Sequence, residues 1–364
     1  MNYDELLKAL AGLTNDEKET LVKTVMGMMT KEDEVRSCDN LIKEHSNRGC
    51  LPDCPHCGAQ AKLGCIVKRG RKGNGAQRYT CKSCQRHFVA STGTVFERTH
   101  KNADVWEKYI QMTLDGKSLK ACASECRIAY QTAFTWRHKI LNAFRVHQEA
   151  TMMTGRVEMD EMLIPISYKG NHSKSKKFVM PRPAYKRGSD NKSKSSKDKS
   201  CVFCMIENGD KNFYAAVPGI GFMSHKMLDN TFSKHVNKDS ALVLADNYKV
   251  THKYLEDNGY NHKTLLSNNT GDRNCHKPEI CGEQHIQHVN SMHRHLRLFL
   301  AKYYGVSTKY LENYVALYTW LKNISINNKQ KKHIEKVTVG RISAADCYIT
   351  RKDIEMRPSV PMCG

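Results

Sequence analysis

Apolar residues recur at helical spacing in the first forty-five positions, where Leu6, Leu7 and Leu10 are followed by Leu21, Val22, Val25 and Met26. Thr14 and Glu17 are spaced as the two ends of a capping box, so residues 1–45 are expected to form a helical preface. The periodicity disappears over residues 46–98, where cysteine pairs, glycines and basic residues take over. It returns from Asp104 to Phe144, predicting a helical module over residues 99–150. After Thr154 the texture changes to short β-type runs, Arg156–Ile164, Cys201–Ile206, Phe213–Val217 and Ala241–Ala245, interleaved with helical stretches. Such interleaving describes an α/β domain, placed at residues 154–323. Between Lys169 and Ser200 the pattern lapses: eleven Lys or Arg stand against two acids among serines and asparagines, which reads as a basic loop inserted at 169–200. Residues 324–364 offer a weak β-like segment around Lys336–Ile342 and little else.

Charge and cysteine content narrow the function. The 364 residues carry 58 Lys and Arg against 37 Asp and Glu, a formal charge of +21. So lopsided a balance suits a polyanionic partner, and double-stranded DNA is the expected one. No apolar run is long enough to span a bilayer and the N-terminus reads as a polar helix, so a cytoplasmic location is expected, with the protein associated with the nucleoid. In that reducing compartment the fifteen cysteines are thiols or metal ligands rather than disulfides.

Two cysteine pairs have the spacing of a metal site. Cys54-Pro-His-Cys57 and Cys81-Lys-Ser-Cys84 are separated by 23 residues. Two such knuckles supply four thiolates, the donor set of structural zinc, with no open position for catalysis. Cys50, Cys65, His56 and His87 lie nearby and are expected to be bystanders. Lys68, Arg69 and Arg71, with Lys72 and Arg78, fall between the knuckles, where a hairpin would present them to phosphates.

Farther on, Ser118–Cys126 and Tyr130–Leu141 read as two helices joined by a few residues, the spacing of a helix-turn-helix. On the second, Ala133, Trp136 and Ile140 form an inner side. Gln131, Thr132, Thr135, Arg137, His138 and Lys139 are expected to face a major groove.

Candidate catalytic groups lie in the α/β region. Val157–Ile164 is a strand-like run with acids at its centre, and Ala241–Asp246 a buried strand that stops at an aspartate. Alternate side chains of a strand share a face, so Asp160 points with Glu158 and away from Glu161, and Asp160 is the expected ligand. Glu158 is expected to be a neighbour or solvated. From His288 a helix begins on which Asn290, His293, Arg294 and Arg297 share one face, opposite a buried stripe of Met292, Leu296, Phe299, Leu300 and Tyr303. Asp160, Asp246 and Asn290 together offer the oxygen donors that magnesium prefers.

The ordered set Glu158-Met-Asp160-Glu161, Tyr168-Lys-Gly170, Pro183 to Gly188 and His285-Ile-Gln-His-Val-Asn290, followed by Gly305–Tyr310 and Asn313-Tyr314, resembles a family of bacterial insertion-sequence transposases, the ISXO-like type. The likeness covers roughly residues 50 to 322. It implies an RNase H-like catalytic domain with a DDE-type site whose third member is asparagine, preceded by a zinc ribbon (46–98) and a helix-turn-helix (99–150). Carried over by position, Asp160, Asp246 and Asn290 become the magnesium (or manganese) ligands, and Arg297 stands where the family often has lysine. The implied activity is metal-dependent cleavage of DNA at transposon ends and strand transfer to a target, by a homodimer or higher oligomer on DNA. The basic insertion, with Lys174, Lys176 and Lys177, would grip phosphates. The competing reading is a zinc-containing DNA-binding regulator, or a domesticated transposase without activity.

Overall fold

The computed structural model describes residues 14, 38, 42, 51–73, 75–146, 152–170, 179, 198–208, 212–265, 284–327, 338 and 348–357. The helical preface, apart from Thr14, Cys38 and Ile42, lies outside the described residues. So does nearly all of the basic insertion, including Lys174, Lys176 and Lys177. In the expected β-like segment around 336–342, only Thr338 is described, and it is helical and buried.

The cysteine-rich region folds as a three-stranded antiparallel sheet of β1 (Ile66–Arg71), β2 (Gln77–Cys81) and β3 (His87–Val89). Its hairpin closes through Lys72 N–H to the Ala76 carbonyl at 2.9 Å. Few buried side chains support it, mainly Ile66, Tyr79 and Phe88 beside Cys54 and Cys81.

Three helices follow: α1 (Ala103–Leu114), α2 (Leu119–Glu125) and α3 (Tyr130–Val146). Asn102 and Ser118 cap the first two by accepting from Val105 N–H and Ala121 N–H, which satisfies donors that a helix start leaves without partners. Trp106 and Trp136 stack with ring centroids 3.7 Å apart, and Tyr109 donates its hydroxyl hydrogen to the Ala133 carbonyl.

The second layer system is a five-stranded sheet made of β4 (Arg156–Pro165), β5 (Lys199–Glu207), β6 (Asn212–Ile220), β7 (Leu242–Asp246) and β8 (His262–Leu265). Its order is β6-β5-β4-β7-β8, with β4, β5 and β6 antiparallel and β7 and β8 parallel to β4. Helices α4 (His225–Asn230) and α5 (Lys249–Asp257) cover one face, where Val157, Met159, Val243 and Ala245 pack on Met227, Leu228, Tyr254 and Leu255. Helices α6 (Gln287–Ala301) and α7 (Thr308–Asn327) cover the other, where Met162, Val202, Cys204 and Ile206 meet Val289, Met292, Leu296 and Val315. Burial on both faces explains why β5 is apolar almost throughout. Strand β8 was not foreseen, because His262-Lys-Thr-Leu265 is short and carries no alternation.

Helix α7 belongs to two cores. Tyr310, Tyr314 and Leu317 join the core of the α1–α3 module, together with Ile354 of the short helix α8 (Arg351–Glu355). His138 of α3 sits in that seam, 4.1 Å from the Tyr310 ring and 4.5 Å from Phe134. Burial first, then the charges of Arg357 and Arg137, push its pKa down to about 3. Unfolding therefore takes up a proton at any pH between the ordinary histidine value and about 3, so the stability His138 contributes is whole above about 6.5 and is lost as pH falls. Wild type should lose about 1.4 kcal/mol more unfolding free energy per pH unit below about 6.5 than His138→Phe. Urea unfolding of both proteins from about pH 7 to about pH 4 checks this, and parallel curves would show that His138 is not held neutral.

Candidate active site and thiol cluster

The register of the sheet brings two aspartates together. Strands β4 and β7 pair in parallel through Arg156↔Leu242, Val157↔Val243 and Glu158↔Leu244, and two further residues along the same register Asp160 stands beside Asp246. Both lie where the sheet changes from antiparallel to parallel neighbours, the place where open α/β sheets bind ligands. Asp160 shares its strand face with Glu158 and Met162, toward α6, whereas Glu161 lies on the α5 side with Leu163. Desolvation, then Asp246, then Glu161 push the Asp160 carboxyl up to about 8. Desolvation and then Asp246 push Glu161 up to about 7, and desolvation raises Asp246. Crowded carboxyls with raised pKa values are a donor set that a hard divalent cation fits, since its charge relieves the repulsion.

Helix α6 supplies the opposite wall. His293 is buried, with Nδ1 3.6 Å from Asp160 Oδ2. Desolvation and then Arg297 hold its pKa down to about 4, so at neutral pH it is a lone-pair donor rather than a cation. Its Nε2 is buried without a hydrogen-bond partner among the described residues. Arg297 is exposed one turn later, and its charge favours ionised Asp160. Asn290 is exposed one turn before His293, on the same helix face. The sequence pattern puts His293 on the polar face of this helix without marking it as a ligand. The available signal was its position three residues after Asn290, which at helical spacing aims both at the same neighbour.

Glu158 is neither solvated nor a mere neighbour. Its side chain is 1% exposed, and it accepts from His288 N–H at 3.0 Å and Val289 N–H at 3.2 Å, with His288 Nδ1 at 2.6 Å. No spacing rule could have shown that a strand carboxylate reaches the start of a helix 130 residues away.

In the small sheet the four sulfurs of Cys54, Cys57, Cys81 and Cys84 all lie within 4.8 Å of one another. The Cys54–Cys84 and Cys57–Cys81 pairs are 3.7 Å apart, close to the roughly 3.8 Å between sulfurs tetrahedrally placed about 2.3 Å from zinc. Backbone amides of Cys84 and then Ser83 help bring the Cys81 thiol down to about 6. Cys65 instead turns to the Leu63 carbonyl, and His87 Nδ1 to Thr80 Oγ1. Cys50 lies outside the described residues.

The basic and polar residues proposed to meet DNA divide in two. Lys68, Arg69 and Arg71 are exposed along β1, and Gln131, Thr132 and Thr135 are half-buried at the start of α3. Arg137, His138 and Lys139, by contrast, point inward and cannot face a groove. Arg137 donates from Nη2 to the Lys117 carbonyl at 2.8 Å and to Cys122 Sγ at 3.4 Å. Lys139 donates to the Glu97 carbonyl and lies over the Tyr348 ring, and burial lowers its pKa to about 8. His138 is covered because α7 packs on the side of α3 that an isolated helix pair would leave open. Lys169, at the head of the basic insertion, is also engaged: its ammonium donates to the carbonyls of Tyr303, Tyr304 and Gly305.

Residues 152–323, which hold the five-stranded sheet and α6, match the ISXO2-like transposase domain family. This span is similar in sequence to a transposase domain. Over 271 residues the chain is 24% identical to a protein of the transposable element ISH50 from Halobacterium salinarum, covering 72% of this chain and 82% of that one. The solved Mos1 strand transfer complex aligns at 11% identity over 65% of this chain and 74% of its own, with a TM-score of 0.22, too low to bear on the argument. Among the described residues, no helix is long and apolar enough to cross a membrane.

Because Arg137 is a buried donor rather than a groove reader, Arg137→Met should leave the DNA affinity of folded protein within about twofold while lowering unfolding free energy by about 2 kcal/mol. Paired DNA-binding titrations and urea melts decide this. Lost affinity at full stability would return Arg137 to the DNA surface.

Proposed function

We propose that the chain is an insertion-sequence transposase whose catalytic domain is RNase H-like and cleaves and rejoins DNA strands at a site built on Asp160, Asp246 and α6. The single observation that carries this reading is the parallel register of β4 and β7, which stands the two aspartates side by side in a family span named for transposases. The sheet order β6-β5-β4-β7-β8, with the first three strands antiparallel and the last two parallel to β4, supports the RNase H-like assignment.

Asp160 and Asp246 would hold magnesium or manganese, with Asn290 or His293 completing the donor set from α6. Such ions, when bound, polarise phosphate oxygens and lower the pKa of water. The chain's own residues do the rest. The buried strands beside Asp160 and the packing of α6 limit access of bulk water, which strengthens charge interactions within the site. Arg297 at the rim offsets the negative charge of a scissile phosphate, and neutral His293 keeps Asp160 oriented. An oxygen nucleophile, water first and then the freed 3′ hydroxyl, would attack phosphorus in line as the opposite bridging P–O3′ bond breaks; the proton the nucleophile loses leaves to solvent at the exposed rim, and the departing 3′ oxygen takes up one from solvent.

In front of this domain, the four thiols fit structural zinc and the small sheet reads as a zinc ribbon that displays Lys68, Arg69 and Arg71 to phosphates. Helices α2 and α3 read as a helix-turn-helix, with Gln131, Thr132 and Thr135 the residues left to contact DNA. Bringing two transposon ends together requires a dimer or larger assembly on DNA, working in the cytoplasm at the nucleoid.

Asp160→Asn and Asp246→Ala should each abolish cleavage of oligonucleotides carrying the element's ends while binding them as wild type does. Mutants that cut as well as wild type would refute the site. Wild-type binding without any cutting would identify a DNA-binding regulator or a retired transposase. Purified protein should also carry about one zinc per chain, and a Cys54→Ser/Cys84→Ser variant none, with metal analysis as the readout.

A further inference from the structure

Helix α6 carries Asn290, His293 and Arg297, yet its own sequence fastens its start only through His285. The N-cap residue Ile286 offers no side-chain cap; His285 Nδ1 accepts from Gln287 N–H at 3.3 Å, and the next amides need partners from elsewhere. They find Glu158 of β4, which accepts from the N–H groups of both His288 and Val289. Its other oxygen takes His288 Nδ1 at 2.6 Å, with His285 Nδ1 at 3.8 Å.

The far end is held by the same stretch of chain. Lys169, eleven residues after Glu158, donates its ammonium to the carbonyls of Tyr303, Tyr304 and Gly305 at 3.0, 2.9 and 2.7 Å. Three successive carbonyls turn to one side because Tyr304 and Gly305 adopt left-handed backbone, with φ of 52° and 92°. A backbone pair between Ser167 and Thr308, bonded in both directions with the help of the Thr308 hydroxyl, closes the joint.

The signs of these contacts match the helix. A helix start is partially positive and its end partially negative; here a carboxylate meets the start and an ammonium meets the carbonyls just beyond the end. The helix has 15 residues, about 22 Å, and the segment from Glu158 to Lys169 runs its length with Asp160 in between.

We propose that Glu158 and Lys169 are positioning residues that form a two-ended electrostatic clamp, fixing α6 in register on β4 so that His293 and Asn290 face Asp160. Neither residue touches the reacting atoms. Each acts by setting where α6 lies along the strand, and loss of either lets the helix slide or fray.

The catalytic consequence rests on the transposase reading above, but the clamp itself does not. Hydrogen–deuterium exchange of full-length protein reads it directly. Glu158→Ala and Lys169→Met should raise exchange in 287–301 at least tenfold while β4, β5 and β7 stay protected, and Lys169→Arg should return it to within about threefold of wild type. In the cleavage assay both variants should lose kcat tenfold or more with KM for DNA unchanged, and should need more magnesium for half-maximal rate.

Wild-type exchange in α6 of folded Glu158→Ala and Lys169→Met would overturn the clamp. So would raised exchange with unchanged kcat and magnesium requirement, the pattern of a purely structural contact. If Glu158→Ala does not fold, Glu158→Gln, which keeps an acceptor but not the charge, substitutes for it with the same criteria. A wild-type protein that never cleaves, with exchange responding as described, would sink the transposase reading and leave the clamp standing.

Discussion

The arrangement of the α/β half depends on the pairing of β4 with β7. Two acidic side chains on neighbouring parallel strands repel each other and lose hydration when helices cover the sheet, and both effects are visible in the raised carboxyl pKa values. A fold keeps such a pair only if the surrounding packing over-determines it. Here that packing is an apolar sheet buried on both faces, with Val157, Met159, Val243 and Ala245 locked on one side and Met162 and Cys204 on the other. The unfavourable electrostatics are concentrated where a cation would turn them favourable.

Helix α6 makes the second half of the site, and its placement is an electrostatic matter as much as an apolar one. Its buried stripe settles which side faces the sheet. The stripe does not settle where along β4 the helix sits, because Leu and Met pack adequately in neighbouring registers. Directional contacts at Glu158 and Lys169 supply that information.

Helix α7 ties the parts into one body. Its tyrosines enter the core of the three-helix module while Val315 and Tyr318 stay in the core of the sheet. This double duty is why His138 is buried. A polar residue in an amphipathic pattern faces water only if no other element arrives, and here one does.

The sequence by itself determined the local elements and the chemistry they carry. Paired Cys-x-x-Cys spacing marked the thiol cluster. The run around Asp160 and the run ending at Asp246 marked two strands and the acids they carry, and the 3.6-residue stripe of Met292, Leu296 and Phe299 marked α6 and its buried side. These signals are legible because period and spacing are properties of consecutive residues. Tertiary structure alone decided which distant groups meet: Glu158 with the start of α6, Lys169 with its end, His293 with Asp160, and α7 over the polar side of α3. Strand β8 also escaped, since its four residues are held by pairing with β7 rather than by their own pattern. Contacts across more than a hundred residues leave no periodic trace in a chain. They follow from the order in which strands pair and helices pack.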